Sequence, residues 1–440
     1  MHAAQSLLAP ESQKIDPRDL VLIGGGSTAS TFILRLVQQL KENPQIRQGF
    51  NIYCFDQNGF ANGGIAYGSC SKHHILNSVR SEMSPWDVDA FHDYSIENDK
   101  GNCRNSFNAR QDYRDFLSLQ TIEAVRYLKQ LGIRLIQNTN DVGIVKRQGS
   151  YAVVDLDNGQ SILHGCDARQ IVVATGYGPN RNFQTWRSGL DGDKYAHSLY
   201  GAGKEGIFAE RASSLKPNPH IVFIGGGPAL YDCVNDLYGA GITSARLTVI
   251  SGTGAGPLGV RDLSIEQGEQ NICPQNMLSL RGCANADDIG NAIRQDFSNA
   301  ASKRRVALDI LKNLAPVLKS MEEGEAQRFQ SSPIVASLRH AATPVPQESH
   351  ARLASLSPSF IGARLCEEDL IIDSRGRITI RRGDIAVIGA DLIVNGTGHG
   401  RHNAPIFEAM KKDGSVRVSK ALGVLETQDN GYSLVGSGIA

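Results

Sequence analysis

Residues 20–57 constrain the fold more than any other part of the chain. Val21, Leu22 and Ile23 form a short apolar run that ends in three glycines, Gly24, Gly25 and Gly26. Ser27, Thr28, Ala29 and Ser30 lead into TFILRLVQQL, which has helical periodicity. A second apolar run, NIYCF, closes on Asp56. The order predicts strand, tight turn, helix, strand, acid. That is the layout of a dinucleotide-binding βαβ unit. Gly24 permits the turn, Gly26 lets backbone approach a pyrophosphate, and Ala29 stands where helix packs on strand. The pyrophosphate would meet N–H groups at the helix N-terminus, near Ser27. Asp56, with Gln57 beside it, is placed to accept hydrogen bonds from ribose hydroxyls. Residues 43–50 lengthen the unit, so that Asp56 lies 30 residues past Gly26 rather than the ~20 of the short version.

The same opening recurs after Pro217 and Pro219, as HIVFIGGGPALYDCVNDLYGAG, with LTVIS as its second strand. Gly225, Gly227 and Ala229 form this second turn, and Pro228 suits a first helical position. Such a repeat implies two nucleotides, or one working site and one that only packs. A 2′-phosphate would call for an arginine just after the second strand. The chain has Ser251, Gly252, Thr253 and Gly254 there, with no acid either, and the next arginine is Arg261. The choice between NADH and NADPH stays open at this point. Ala174-Thr175-Gly176 and Gly396-Thr397-Gly398 each follow a buried apolar strand. Glycine there serves a close approach to a ligand or an ordinary strand-end turn.

Between these landmarks, residues 107–133 predict a helix with the stripe Phe116, Leu117, Ile122, Val125 and Leu128. Strands follow near 141–145, 151–156 and 161–164, with Asp157-Asn158-Gly159 as a hairpin turn. Residues 287–321 read as helix kinked at Pro316. Residues 331–357 read as polar and proline-broken, a source of pocket residues, before short strands return. The chain is therefore expected to be α/β, with two Rossmann-like dinucleotide-binding domains, the first discontinuous. The expected spans are 1–215 and 336–440 for the first domain and 216–335 for the second.

Lys+Arg and Asp+Glu both number 45, so nothing steers the chain toward nucleic acid or an anionic membrane. Apolar runs are too short to span a bilayer, and the start lacks the texture of a secretory signal. The eight cysteines are scattered without a CxxC pair, which fits reduced thiols in the cytoplasm and argues against a dithiol–disulfide reductase. His73 and His74 lack neighbours at metal-ligand spacing, leaving a proton-transfer role or simple exposure. Arg339, His340 and Arg352 read as a basic patch, solvated or set against an anion. No GxSxG, HExxH, P-loop lysine or kinase set is present. The expected chemistry is that of a bound redox cofactor.

The block GGIAYGSCSKHHILNSVRSEMSPW, with GGGSTAS before it and FNARQDYRDFL and GGGPALYD after it, resembles the FAD/NAD(P)-binding flavoproteins. The relevant branch includes FAD-dependent urate hydroxylase and aspartate N-monooxygenase. The resemblance implies FAD held by Gly24, Gly26, Ser27, Ala29 and Asp56. Tyr67, Leu76, Asn77 and Met83 would lie along the flavin, Arg110 would match the family's arginine, and Thr175 and Gly176 would touch FAD. Gly225, Gly227 and Asp232 would mark the NAD(P)H turn. Gln57, Val142, Gly396 and Gly436 complete the candidate cofactor contacts. The resemblance further implies NAD(P)H-dependent monooxygenation of an amine or nitrogen-containing small molecule, with a dehydrogenase or oxidase, or a non-catalytic nucleotide binder, as alternatives. Family members end on a Gly-Asp pair and a helix facing the flavin. This sequence stops at Gly436-Ser437-Gly438-Ile439-Ala440, so the resemblance leaves two expectations: weaker FAD binding, or another chain or segment, such as a second copy or a partner, completing that site.

Overall fold

The computed structural model describes residues 12–45, 49–68, 70–84, 87, 89–98, 100–101, 103–176, 182–190, 194–200, 208, 211, 214–252, 258–261, 285–300, 302–373, 377–397, 406 and 410. Two parallel sheets dominate. The first runs in the order Arg134–Asn138, Asn51–Phe55, Leu20–Ile23, Ile171–Val173. The second runs Ser359–Gly362, Arg246–Ser251, His220–Ile224, Leu392–Asn395, Tyr195–Ala196. Both central strands are buried along their length, as a parallel strand covered on two faces must be. The helix Ser27–Glu42 buries Ala29, Ile33, Leu34, Val37 and Leu40, one face at helical spacing, against the first sheet.

The repeat reaches well past the glycine turns. In each copy an antiparallel three-stranded piece sits between the third and fourth parallel strands. It comprises Val142–Arg147, Ser150–Asp155 and Ser161–Cys166 in the first copy. In the second it comprises Leu370–Ile372, Ile378–Arg382 and Ile385–Ala390. Each fourth strand then closes on its glycine turn in the same way. Gly24 has φ +108°, and a Cβ on it would meet the Ala174 carbonyl oxygen at 2.3 Å. Gly225 has φ +122°, and a Cβ on it would meet the Gly396 oxygen at 2.6 Å. No side chain fits either turn, because a strand-end carbonyl fills the space.

The pairing corrects the expected spans. Ser359–Gly362 and Leu392–Asn395 join the second sheet rather than returning to the first, and Tyr195–Ala196 already belongs to it. The return comes later: Ile406 and Met410 pack into the first domain's core with Val21, Ile23 and Tyr53. The first domain is thus discontinuous, and Ile406 and Met410 are the described residues of its return. Residues 331–357 are also not a broken loop. They form the helices Pro333–Ala342 and Gln347–Ser355, whose prolines stand at a first position and an N-cap, where no N–H is needed. The helix Lys303–Lys319 runs on through Pro316. Together with Ala286–Ser298, Glu323–Gln330 and Pro333–Ala342 it builds a separate helical core around Ile293, Ile310, Phe329 and Leu338. In the helix Arg110–Gln130 the apolar face turns from the expected stripe. Thr121 is buried, donating to the Leu117 oxygen, while Ile122 is exposed. No helix among the described residues is long and apolar enough to cross a membrane.

Candidate cofactor site

The first glycine turn meets the glycine-rich stretch after Asp56. Gly26 forms a backbone bridge with Gly63, and a Cβ on Gly26 would lie 3.1 Å from the Gly64 Cα. Gly26 therefore serves contact between two backbones that together shape a wall. A pocket of about 740 Å³ opens there, within the size range of small-molecule sites. The first domain contributes Gly26, Ser27, Thr28, Asp56, Gly64 and Thr175 to it, among others. Arg110, Tyr200, Pro228 and Ala229 line the same pocket, so the mouths of both turns share one space.

The residues present fit a dinucleotide. The helix Ser27–Glu42 begins on Gly26 with no side-chain cap, leaving its first N–H groups toward the pocket. Thr175 Oγ1 is buried with no partner among the described residues. Asp56 already serves the turn: its Oδ2 accepts from Gly25 N at 2.6 Å, and its Oδ1 accepts from Asn58 N at 2.8 Å and Asn62 Nδ2 at 2.9 Å.

Other expected contacts lie elsewhere. Tyr67 packs edge-on against Tyr113, while Leu76 and Met83 belong to the first domain's core. These three and half-buried Asn77, four in all, stand off the pocket wall. Ala29 is fully buried, packing helix on sheet as its position in the turn predicts. Val142 is buried in the core beneath the antiparallel strands, and Gln57 is exposed. Gly225 and Gly227 stand just before Pro228 and Ala229. A Cβ on Gly396 would strike the Phe223 ring at 2.0 Å, so that ring by itself requires glycine there. Gly436 and Gly398 fall outside the described residues.

Arg110 does more than line the pocket. Its guanidinium reaches 2.8 Å from Asp232 Oδ2, on the helix Pro228–Gly239 of the second domain, and lies 5.7 Å over the Tyr200 ring. The Tyr200 hydroxyl donates to the same carboxylate. Burial works against the Arg110 cation, but the Asp232 charge and Tyr200 outweigh it and raise its pKa. Burial first, then the Asp232 charge, push the Tyr200 phenol well above its ordinary value. One turn along the helix, Asp236 Oδ2 lies 2.9 Å from His74 Nε2, both side chains 1% exposed. His74 is therefore buried and paired, not an exposed histidine. His73 lies on the backbone of Gly239, and desolvation lowers its pKa. Arg352 is likewise engaged, with Glu348 and with Asn235 at 2.9 Å. No group of residues suited to hold a metal occurs among the described residues. Sequence reasoning missed Tyr200, which carries no local motif, and Gly63–Ala66, whose glycines were visible but whose partner turn was not.

Residues 21–178 match the family model described as FAD-NAD(P)-binding, which covers most of the first domain. No curated protein sequence matches the chain. Among solved structures, it is similar to the FAD-bound cadaverine monooxygenase of the desferrioxamine biosynthetic pathway from Erwinia amylovora. That likeness has 15% identity and a TM-score of 0.53, covering 94% of this chain and 85% of that one. It is also similar to L-lysine 6-monooxygenase from Pseudomonas syringae, at 12% identity and a TM-score of 0.52, covering 96% and 90%. The fold is that of a two-domain dinucleotide-binding flavoprotein, and its first domain is the part that matches the FAD-NAD(P)-binding model.

Proposed function

We propose that this protein is an FAD-dependent, NAD(P)H-using monooxygenase that hydroxylates an amine or another nitrogen-containing small molecule. The observation that carries the reading is the shared pocket: the turn suited to FAD and the turn suited to a nicotinamide dinucleotide open into one space. A reductant held on one side can then meet a cofactor held on the other. The amine-monooxygenase names of the two similar structures support the substrate class.

In this reading the first N–H groups of Ser27 and Thr28 hold the FAD pyrophosphate. Asp56 fixes the glycine turn and presents its remaining lone pairs to the adenosine ribose. Thr175 Oγ1 gains the partner it lacks in the protein. Bound FAD supplies the redox and oxygen chemistry. The chain's own part is to hold both nucleotides, keep Arg110 and Tyr200 fixed through Asp232, and exclude water from the shared space. We take residues 12–176 with Ile406 and Met410 as the first domain, and the strands from Tyr195 to Asn395 as the second. The buried free thiols of Cys54, Cys166 and Cys233 favour a cytoplasmic setting.

The test is the visible spectrum of the purified protein with FAD, then NADH or NADPH in air, with oxygen uptake followed alongside. Bleaching by reductant, recovery with oxygen and a product heavier by one oxygen are expected. Turnover with another acceptor and no oxygen uptake would replace the reading with a dehydrogenase.

A further inference from the structure

The two copies differ where an adenosine ribose would lie. The strand registers pair Ile23 with Phe55 and Ile224 with Ile250, so Asp56-Gln57 of the first copy correspond to Ser251-Gly252 of the second. The acid that a 2′-hydroxyl would use is therefore missing from the second copy. An arginine takes up the adjoining space, but from a different strand. Ser359–Gly362 runs beside Arg246–Ser251, and Ala363 N donates to the Ser251 oxygen at 3.0 Å. The next residue, Arg364, lays its side chain over Gly252. A Cβ on Gly252 would come within 3.0 Å of Arg364 Cγ, 3.8 Å of Nε and 3.9 Å of Cδ. Arg364 is exposed and makes no ion pair or hydrogen bond among the described residues. Arg261, the nearest later arginine in sequence, turns away: its guanidinium is buried and donates to Glu82 of the first domain at 2.8 Å.

We infer that Arg364 is the residue that selects a 2′-phosphorylated dinucleotide, so that the second domain takes NADPH in preference to NADH. The inference rests on the reading of that domain as a nicotinamide dinucleotide site. The chemistry matches: a guanidinium forks onto phosphate oxygens, no carboxylate closes the strand to repel them, and glycine leaves room for the arm.

The test uses protein saturated with FAD, so that the first site is filled, titrated calorimetrically with 2′,5′-ADP and with 5′-ADP. The native chain should prefer 2′,5′-ADP by about ten- to a hundredfold, the scale of a charge-assisted phosphate contact. Arg364→Gln should bind both ligands at the 5′-ADP level, and Arg364→Lys should retain part of the preference. Equal binding by the native chain, or a preference that survives in Arg364→Gln, overturns the role of Arg364 and leaves the second domain a nucleotide site. Binding of neither ligand overturns both this inference and the reading beneath it.

Discussion

At the scale of single residues, the site is defined by atoms that lack something. Thr175 Oγ1 is buried at the pocket wall without a partner among the described residues. An orphaned hydroxyl costs stability, about 1–3 kcal/mol, and regains it only when a ligand supplies the bond. Thr175→Val keeps the shape and removes the orphan. It should leave the FAD-free melting temperature unchanged or raised while weakening FAD binding by about two- to tenfold. An FAD Kd unmoved by Thr175→Val would place the hydroxyl outside the cofactor site. Gly26 offers the complementary test. Its Cβ direction is filled 3.1 Å away by the Gly64 backbone, which cannot rotate aside as a side chain would. Gly26→Val should push the two backbones apart and yield protein with little or no bound flavin. Full flavin content in that variant would refute the role given to this wall.

At the scale of elements, the strand–glycine–helix units were legible because each combines a buried apolar strand with a turn that only glycine can make. The antiparallel insert of the second copy was not. Its strands carry exposed residues such as Ile371 and Ile388, so periodicity does not assign them to a domain. Pro333 and Pro346 misled for a related reason, since proline reads as a break until its place at a helix start is seen. The cofactor turns were readable residue by residue, whereas Tyr200 and Arg364 act through neighbours distant in sequence. The short 3₁₀ helix Arg80–Glu82 shows the same limit. Its Glu82 reaches across to Arg261 and to Arg304, a contact between domains that no local pattern encodes. Burial raises the Glu82 pKa, but the two arginines outweigh it and hold the carboxyl below its ordinary value of 4.5. The pair's contribution is then complete above about pH 4.5 and is lost as pH falls through the lowered pKa. Glu82→Gln should melt lower than the native chain near neutral pH, with the gap closing as pH falls below 4.5. A gap constant across that range would mean that the ion pair adds nothing to stability.

At the scale of the whole molecule, one helix holds the two domains in register. Asp232 and Asp236 stand one turn apart on Pro228–Gly239, and each receives a cationic or hydrogen-bonding group from the first domain, Arg110 and His74. Because this helix also begins at the second glycine turn, the same contacts that lock the domains aim Pro228 and Ala229 into the shared pocket. Separating the domains would strand buried charges on both sides. Breaking such a pair by removing one member costs about 3–5 kcal/mol, whereas replacing both members by apolar groups is often close to neutral. Arg110→Met should therefore lose about 3–5 kcal/mol of unfolding free energy, leaving Asp232 buried with only the Tyr200 hydroxyl. Arg110→Met with Asp232→Leu should recover part of that loss, short of the native value because Tyr200 then loses its acceptor. Differential scanning calorimetry gives a second readout. A lock at this helix predicts one shared transition in the native chain and two separable ones in Arg110→Met. If Arg110→Met melts in a single transition with native stability, the domains are held by their other contacts, His74–Asp236 and Glu82–Arg261 among them, and the Arg110–Asp232 pair serves only to place Arg110 at the pocket.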